Sequence, residues 1–395
     1  MIINKQTLRL VLSLGLTQTI GFASAYFLPA VLARPMAEGL GCTVSTVYAA
    51  FSLSLIVAAL TVPLAGKYVD AYGGKRVLAV SNIWFALSLV FLSLAQGEAG
   101  LFLGWASLGI AMGAGLYDIA FAAVVRSRGL SAPPIIAGIT LLAGFSSTLS
   151  WPISHYLLTH FGWQQVLLAW AGVQLFLALP LHLSLVLPMQ PRNLEAPGDD
   201  SGPDDAATGA AKKSQVPAMC VLALAFVFTS FCTGVIVGHL PGLLQLFGVG
   251  VAASILAGMA FGPAQVAARL LLLFVQHKIR PVNTAILAIL TVSLGAAALM
   301  QIGPGAAVLM AITFGFGNGA MTIIKGTLPL SIFGEKGYGR RQGLLFLPAG
   351  IAMALSPFLF SLCIDTLGQG ALYVFIAAAW TAALLFMYLK RLTHR

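Results

Sequence analysis

The sequence predicts an all-α integral membrane protein with twelve transmembrane helices in two pseudo-symmetric six-helix bundles. Three features predict it: the composition, twelve apolar stretches of membrane-spanning length, and one long polar interruption near the middle. Of the 395 residues, 59% are hydrophobic and only 8% are charged, and the mean hydropathy is +0.95. A soluble domain is about half apolar and about a quarter charged. This chain therefore has too few charges to cover a water-facing surface.

The apolar stretches define the predicted spans, since a transmembrane helix needs roughly 20 apolar residues. The first stretch has no small-residue cleavage site and many more follow it, so we predict no removable signal peptide. We number the stretches spans 1 to 12, in order 7–33, 45–66, 77–95, 99–125, 133–157, 164–187, 217–240, 249–276, 282–301, 305–332, 343–365 and 370–390.

The polar interruption at 188–216 is rich in Pro, Gly, Ala and Asp and has no apolar face. This composition is typical of a disordered linker. It divides the chain into a predicted N-terminal bundle, 1–187, and a predicted C-terminal bundle, 217–395.

The basic residues predict the orientation of the bundle. Most of the 21 Lys and Arg residues fall in segments that lie on the same side as both termini. Short cytoplasmic loops carry such an excess of positive charge. We therefore predict cytoplasmic termini in a bacterial inner membrane. The net charge of +10 follows from this topology, and no nucleic-acid partner is predicted.

The segment between spans 2 and 3, residues 66–78, reads GKYVDAYGGKRVL and is unusually rich in charge and glycine. The spacing of Gly66, Asp70, Gly73, Lys75 and Arg76 resembles the signature loop of the major facilitator superfamily. That resemblance implies two six-helix halves that move by alternating access. It also implies that these five residues form a latch that closes the cytoplasmic side in the outward-facing state.

Two pairs of short segments are similar in the two halves, as internal repeats of this superfamily would be. Residues 27–29 (FLP) of span 1 correspond to 239–241 (HLP) of span 7. Residues 113–118 (GAGLYD) of span 4 correspond to 317–322 (GNGAMT) of span 10. The two matches together support the predicted repeat.

Asp118 is the one acidic residue placed well inside a predicted span. An ionisable side chain at that depth is costly unless it is paired, hydrated or neutralised, so it is a candidate functional residue. We predict that it couples transport to protons, and that Tyr117 beside it binds substrate. The alternative is a structural carboxylate that pairs with Arg126 or caps a neighbouring helix.

Arg269 in span 8 cannot lose its charge, and its planar guanidinium suits carboxylate or phosphate. Its position resembles that of the arginine that contacts substrate in the oxalate/formate and monocarboxylate branch of the superfamily. The sequence FGW at 161–163 also resembles that branch. We predict substrate contacts for Arg269 and for Gln265. The alternative for Arg269 is a side chain that extends to the cytoplasmic rim. In span 1, Gln18 and Tyr26 lie in the helix where animal monocarboxylate carriers have an acidic, tryptophan-rich motif, and we predict that they face the substrate.

Three further polar residues complete the predicted site. Asn318 of span 10 is a substrate-binding candidate, and Lys325 and His239 are secondary candidates. For Lys325 the alternative is again extension to the rim, and for His239 it is a structural hydrogen bond. Metal-ligand spacing, a Walker loop and nucleophile motifs are all missing from the sequence. No enzymatic activity, metal or cofactor is therefore predicted.

The predicted function is secondary active transport of a small solute by a monomer in the lipid bilayer, driven by an ion gradient. A small organic anion, moved with protons, is the favoured solute because Arg269 and Lys325 are fixed cations in the C-terminal half. One alternative is a proton-driven exporter of amphipathic or cationic compounds that Asp118 recognises. The other is a membrane sensor or scaffold that keeps the fold without transporting.

Overall fold

The computed structural model describes residues 5–128, 132–185, 208–275, 279–333 and 338–393, all of them helices and short turns. Ten stretches are long and apolar enough to cross a membrane. Two of these, 281–333 and 344–393, each hold two helices joined by a 3₁₀ turn. The described residues therefore contain twelve spans, which confirms the predicted fold class.

Spans 1, 4, 5 and 6 of the N-terminal half are interrupted within the bilayer, whereas spans 2 and 3 are continuous. Span 1 has a π-helical turn at Phe22–Tyr26 and span 6 has one at Gln174–Ala178. The helices are Lys5–Gly21 and Pro29–Leu40, Val44–Tyr72, Gly74–Ser93, Gly97–Gly115 and Tyr117–Arg128, Ala132–Ala143 and Ser146–Phe161, Trp163–Val173 and Leu179–Leu183.

The C-terminal half also has six spans, and among its described residues only span 8 is interrupted. The 3₁₀ turns Gly303–Ala306 and Gly368–Gly370 connect spans 9 to 10 and 11 to 12. The helices are Thr208–Leu246, Val251–Gly258 and Phe261–Val275, Pro281–Ile302, Ala307–Phe333, Tyr338–Leu367 and Ala371–Thr393.

Span 7 begins earlier than predicted, at Thr208 instead of residue 217. The predicted linker therefore loses its last nine residues to a helix. The sequence TGAAKKSQV at 208–216 explains this difference, because alanine, lysine and glutamine favour helix. Residues 186–207 lie outside the described residues, so the division of the chain by a linker stays a prediction.

The turn between spans 2 and 3 is also shorter than predicted. Span 2 continues to Tyr72 and span 3 begins at Gly74, so Gly73 alone breaks the helix, with φ of +84°. Only glycine adopts this conformation without strain. A side chain on Gly74 would meet Ala123 of span 4, whose Cα lies 2.8 Å from the ideal Cβ position. These two glycines thus bring spans 2, 3 and 4 together.

The bundle has two faces, which we call the terminus face and the opposite face. Span 1 begins and span 12 ends at the terminus face. All six odd-to-even connections lie at the opposite face, and each contains one glycine with positive φ: Gly41, Gly97, Gly162, Gly248, Gly303 and Gly368. The same turn chemistry at equivalent places in both halves supports the internal repeat.

The two halves meet at the opposite face. Span 2 packs on span 11, the second helix of span 1 packs on span 7, and span 5 packs on span 8. The span 5 and span 8 backbones approach closely because both carry glycine there. A Cβ on Gly262 would lie 2.8 Å from the Gly144 carbonyl oxygen, and one on Gly258 would lie 2.8 Å from the Trp151 ring. Small residues permit such close helix contact in membranes.

Candidate functional site

Arg269 lies at the crossing of spans 4, 5 and 8 and connects the two halves of the protein. Its side chain is only 7% exposed. The guanidinium donates hydrogen bonds to the Thr140 carbonyl of span 5 and, over 3.1 Å, to Gln265 Oε1 of its own helix. The hydroxyl of Tyr117 in span 4 lies close to the guanidinium. The described geometry therefore directs Arg269 into the protein and away from the rim.

The local sequence explains this cluster. Gln265 and Arg269 are four residues apart in Phe261–Val275, so their side chains share one face of the helix. Thr140 is one turn before Gly144, where spans 5 and 8 approach closely. Three of the predicted substrate-binding residues therefore lie together: Arg269 and Gln265 share a hydrogen bond, and Tyr117 is close to Arg269.

A second polar cluster joins span 10 to span 7. Asn318 Oδ1 accepts a hydrogen bond of 3.2 Å from the Thr233 hydroxyl, and Lys325 Nζ donates one of 3.0 Å to Ser230 Oγ. Asn318 and Lys325 are two helical turns apart and both are half-buried. The hydrogen bond to Ser230 directs the Lys325 ammonium toward span 7 within the bundle.

Asp118 occupies a helix start inside the membrane. Span 4 is broken at Leu116, whose backbone is extended (φ −86°, ψ −166°), and a new helix begins at Tyr117. Asp118 is therefore in the first turn, where the helix dipole favours a negative charge. Its side chain is exposed and has no hydrogen bond or ion pair with any described residue. A carboxylate at this depth is costly unless it faces water.

The break in span 4 depends on Gln18, which the sequence analysis assigned to the substrate. Gln18 is fully buried, and its Nε2 donates a 2.8 Å hydrogen bond to the Gly115 carbonyl that the break exposes. Its Oε1 is buried and has no partner among the described residues. The geometry thus shows a structural contact between spans 1 and 4.

Tyr26, the other span 1 candidate, packs in an aromatic cluster. Its ring meets Phe22, Phe27 and Phe51 at centroid distances of 5.6 to 6.1 Å. Phe22 in turn packs on Tyr117 at 4.6 Å. Tyr26 is therefore connected to the Arg269 cluster through aromatic rings and is 8% exposed.

The π-helical turns of spans 1 and 6 are features that sequence reasoning missed. Gln174 Nε2 in span 6 donates a 2.7 Å hydrogen bond to Ser24 Oγ in span 1, and Ser150 of span 5 donates to the Ala23 carbonyl. π-helical turns are rare in proteins as a whole, and those that occur are frequently found at functional sites. The sequence signal that could have indicated these turns is the presence of polar Ser24 and Gln174 within apolar spans.

His239 lies away from the Arg269 cluster, in a contact between the halves at the opposite face. Its Nε2 bonds the Pro357 carbonyl over 2.8 Å, and its ring packs on Tyr48 at 3.9 Å. The Tyr48 hydroxyl donates to the Gly238 carbonyl over 2.8 Å. The described contacts of His239 are thus those of a structural residue in a gate between span 2 and spans 7 and 11.

A second part of this gate is polar. The Ser45 hydroxyl bonds Ser361 Oγ over 2.8 Å and also contacts the Asp365 carboxylate. Both contacts join the start of span 2 to the end of span 11. The opposite face is therefore closed by hydrogen bonds between the halves.

The family model of the Major Facilitator Superfamily matches residues 14–328, which is most of the chain. The chain belongs to the major facilitator superfamily. It is accordingly a membrane transporter and not an enzyme. No curated protein sequence matches it.

Solved structures of this superfamily share the fold over almost the whole chain. The nucleoside transporter NupG superposes with a TM-score of 0.75 at 16% identity, covering 96% of this chain and 99% of NupG. A bacterial homolog of the human lysosomal transporter Spinster, in an inward-facing and occupied conformation, gives 0.73 at 15% identity, with 98% and 97% covered. The D-xylose-proton symporter gives 0.72 at 14% identity, with 96% of each chain covered.

Residues 66–78, which resemble the superfamily's signature loop, lie at the terminus face. Arg76 is exposed and Lys75 is half-buried, and a Cβ added to Gly66 would meet nothing within 4 Å. The side chain of Asp70 lies outside the described residues, although its backbone belongs to the last turns of span 2. The latch role of these residues stays a prediction, as does the resemblance to the oxalate/formate and monocarboxylate branch.

Proposed function

We propose that this transporter carries a small organic anion together with protons across a bacterial inner membrane. The observation that carries the proposal is the environment of Arg269. Its guanidinium is buried, yet its hydrogen-bond partners among the described residues are neutral, a carbonyl and an amide oxygen, and so is the nearby Tyr117 hydroxyl. Its Nε has no hydrogen bond there. A buried cation without a counter-ion favours an anionic ligand, because charge-assisted hydrogen bonds are roughly twice as strong as neutral ones.

The proposed orientation places the terminus face in the cytoplasm, following the positive-inside rule. The structure closed at the opposite face then corresponds to the inward-facing state of a monomeric carrier. Transport would require the Tyr48, His239 and Ser45 contacts to break while the signature loop closes the cytoplasmic side. The fixed site near Arg269, between the two halves, would thus be reached alternately from each side.

Asp118 is the proposed proton site. It is exposed in this state, and no described residue neutralises it. Protonation removes the cost of its charge when the cleft closes and water leaves. Proton binding would therefore be linked to the exchange between the two states. Tyr117, the residue before Asp118, lies beside Arg269.

The same exposure of Asp118 favours a second candidate function, the export of cationic or amphipathic compounds. In that case Asp118 would hold the solute directly and Arg269 would serve to join the halves. The two functions make opposite predictions for substitutions at Asp118 and Arg269.

The deciding experiment measures ligand affinity in the purified protein. A thermal-shift screen against carboxylates, cationic amphiphiles, nucleosides and sugars finds a ligand, because binding to the folded state raises its stability. For a carboxylate, Arg269→Lys should weaken binding about ten- to a hundredfold, since a charge-assisted hydrogen bond contributes roughly 1.5–3 kcal/mol. The exposed Arg34→Lys is the matched control and should bind as wild type does.

Asp118→Asn should leave anion affinity nearly unchanged and abolish accumulation driven by a pH gradient in proteoliposomes. Loss of binding in Asp118→Asn, with normal binding in Arg269→Lys, would replace the anion proposal by the cation exporter. Wild-type affinity in both variants would refute both sites. A protein that binds a ligand but moves none would be the sensor or scaffold.

A further inference from the structure

Three aromatic rings form a row from span 1 to span 4 that passes beside Arg269. The Tyr117 ring stacks on the Phe121 ring, with the centroids 4.9 Å apart and an angle of 18° between the ring planes. These two residues are four positions apart in one helix, so their side chains share a face of span 4. Phe22, the first residue of the π-helical turn of span 1, lies 4.6 Å from Tyr117 at an angle of 53°. Phe22, Tyr117 and Phe121 are called the aromatic row below.

The aromatic row keeps accessible ring surface beside Arg269, although the rings that follow it are buried. All three members of the row are half-buried. Tyr26 and Phe51 continue the chain of ring contacts from Phe22 into span 2, and they are only 8% and 1% exposed. Tyr117, the central member of the row, is also the residue whose hydroxyl lies close to the Arg269 guanidinium. Ring surface and a buried cation are thus available to one ligand at the same place.

We propose that the transported anion is an aromatic carboxylate, whose carboxylate group binds Arg269 and whose ring packs on the aromatic row. This inference rests on the proposed anion transport and narrows its substrate class. The guanidinium suits a carboxylate because charge-assisted hydrogen bonds to it are strong and directional. Aromatic rings stabilise one another in offset-stacked or edge-to-face contacts, in addition to the gain from burial of apolar area. A carboxylate without a ring would leave the half-buried surface of the row uncovered.

Aromatic rings also attract cations, so the same row would suit a cationic solute held by Asp118. The described contacts favour the anion. Tyr117 lies beside Arg269, whereas Asp118 has no hydrogen bond or ion pair with any described residue. A ligand that packs on Tyr117 therefore lies next to a fixed positive charge, which attracts a carboxylate and repels an ammonium group.

The test is isothermal titration calorimetry of the purified full-length protein in detergent at neutral pH, with benzoate and cyclohexanecarboxylate as probes. Both probes are ionised and similar in size, so Arg269 acts alike on both, and only benzoate has an aromatic ring. Wild type should bind benzoate about two- to tenfold more tightly for each ring that it contacts. Phe121→Leu should reduce this preference about two- to tenfold, and Phe121→Tyr should keep it.

Phe102→Leu is the matched control and should keep the preference of wild type. Phe102 is half-buried in the same span and makes no ring contact with any described residue. Phe22→Leu, on the other helix of the row, repeats the test if Phe121→Leu does not fold. Arg269→Lys should weaken both carboxylates and leave the ratio of their affinities unchanged, which separates this inference from the proposed function.

Equal affinity of wild type for the two carboxylates, with both dependent on Arg269, would overturn the aromatic assignment and leave anion transport in place. An unchanged preference in both Phe121→Leu and Phe22→Leu, or an equal loss in Phe102→Leu, would also overturn it. If neither carboxylate binds, the aromatic assignment is overturned. Binding of benzyltrimethylammonium that Asp118→Asn abolishes would then overturn anion transport itself and assign the aromatic row to a cation.

Discussion

Replacement of Gly262 by alanine should shift the transporter away from the state that is closed at the opposite face. An added Cβ would lie 2.8 Å from the Gly144 carbonyl oxygen, 3.4 Å from Phe145 Cα and still closer to the Thr148 hydroxyl. Thr148 can rotate, but it would then lose its 3.1 Å hydrogen bond to the Met259 carbonyl. The carbonyl of Gly144 is backbone and cannot move alone. Spans 5 and 8 must therefore separate.

The size of the shift follows from the cost of overpacking, which is typically about 1–3 kcal/mol for an added methyl group in a close-packed contact. Because the contact joins the two halves, this cost applies to the closed state and not to the fold of either half. At 1.4 kcal/mol per tenfold change, the closed population should fall about five- to a hundredfold relative to the state open at the opposite face.

Spin-label distances across the opposite face measure this population. Glu98 and Gln301 are exposed there, on different halves and away from the contact, so cysteines at these positions in a background without native cysteines can carry the labels. Gly262→Ala should populate a longer distance. Gly350→Ala is the matched control, since its Cβ meets nothing within 4 Å. An unchanged distance distribution in Gly262→Ala, with a normal melting temperature, would refute the reasoning.

Three further predictions concern single residues. Gln18→Leu leaves the buried Gly115 carbonyl unpaired, so the free energy of unfolding should fall by about 1–3 kcal/mol; a wild-type thermal melt would contradict this. Burial and the nearby Glu98 raise the pKa of the Cys42 thiol. Its alkylation should therefore be slow at neutral pH, accelerate as the pH rises, and become faster in Glu98→Gln. Equal alkylation rates with and without Glu98 would exclude the electrostatic effect. Asp70→Asn should cripple transport at normal expression if the signature loop is an electrostatic latch, and full uptake or export activity in proteoliposomes would remove that role.

The sequence alone determined the spans and the family. Apolar length is a local property, and a twenty-residue apolar run has few alternatives to a membrane-crossing helix because its backbone must satisfy its own hydrogen bonds in lipid. The pattern from Gly66 to Arg76 likewise resembles the signature loop of the major facilitator superfamily. The family model that matches residues 14–328 shows that the chain belongs to this superfamily. Arg269 and Asp118 stood out from residue type and depth, since charges are rare within spans.

Only the tertiary structure decided which polar groups meet. Gln18 was predicted to face the substrate, but its hydrogen bond goes to a carbonyl 97 residues away that is exposed by a break in another span. His239 lies in the gate because span 11 supplies the Pro357 carbonyl. Hydrogen-bond partners depend on how separate helices pack, and local sequence does not encode that arrangement. The exposure of Asp118 also depends on which face of the transporter is closed. One sequence adopts both conformational states, so the sequence alone does not determine this exposure.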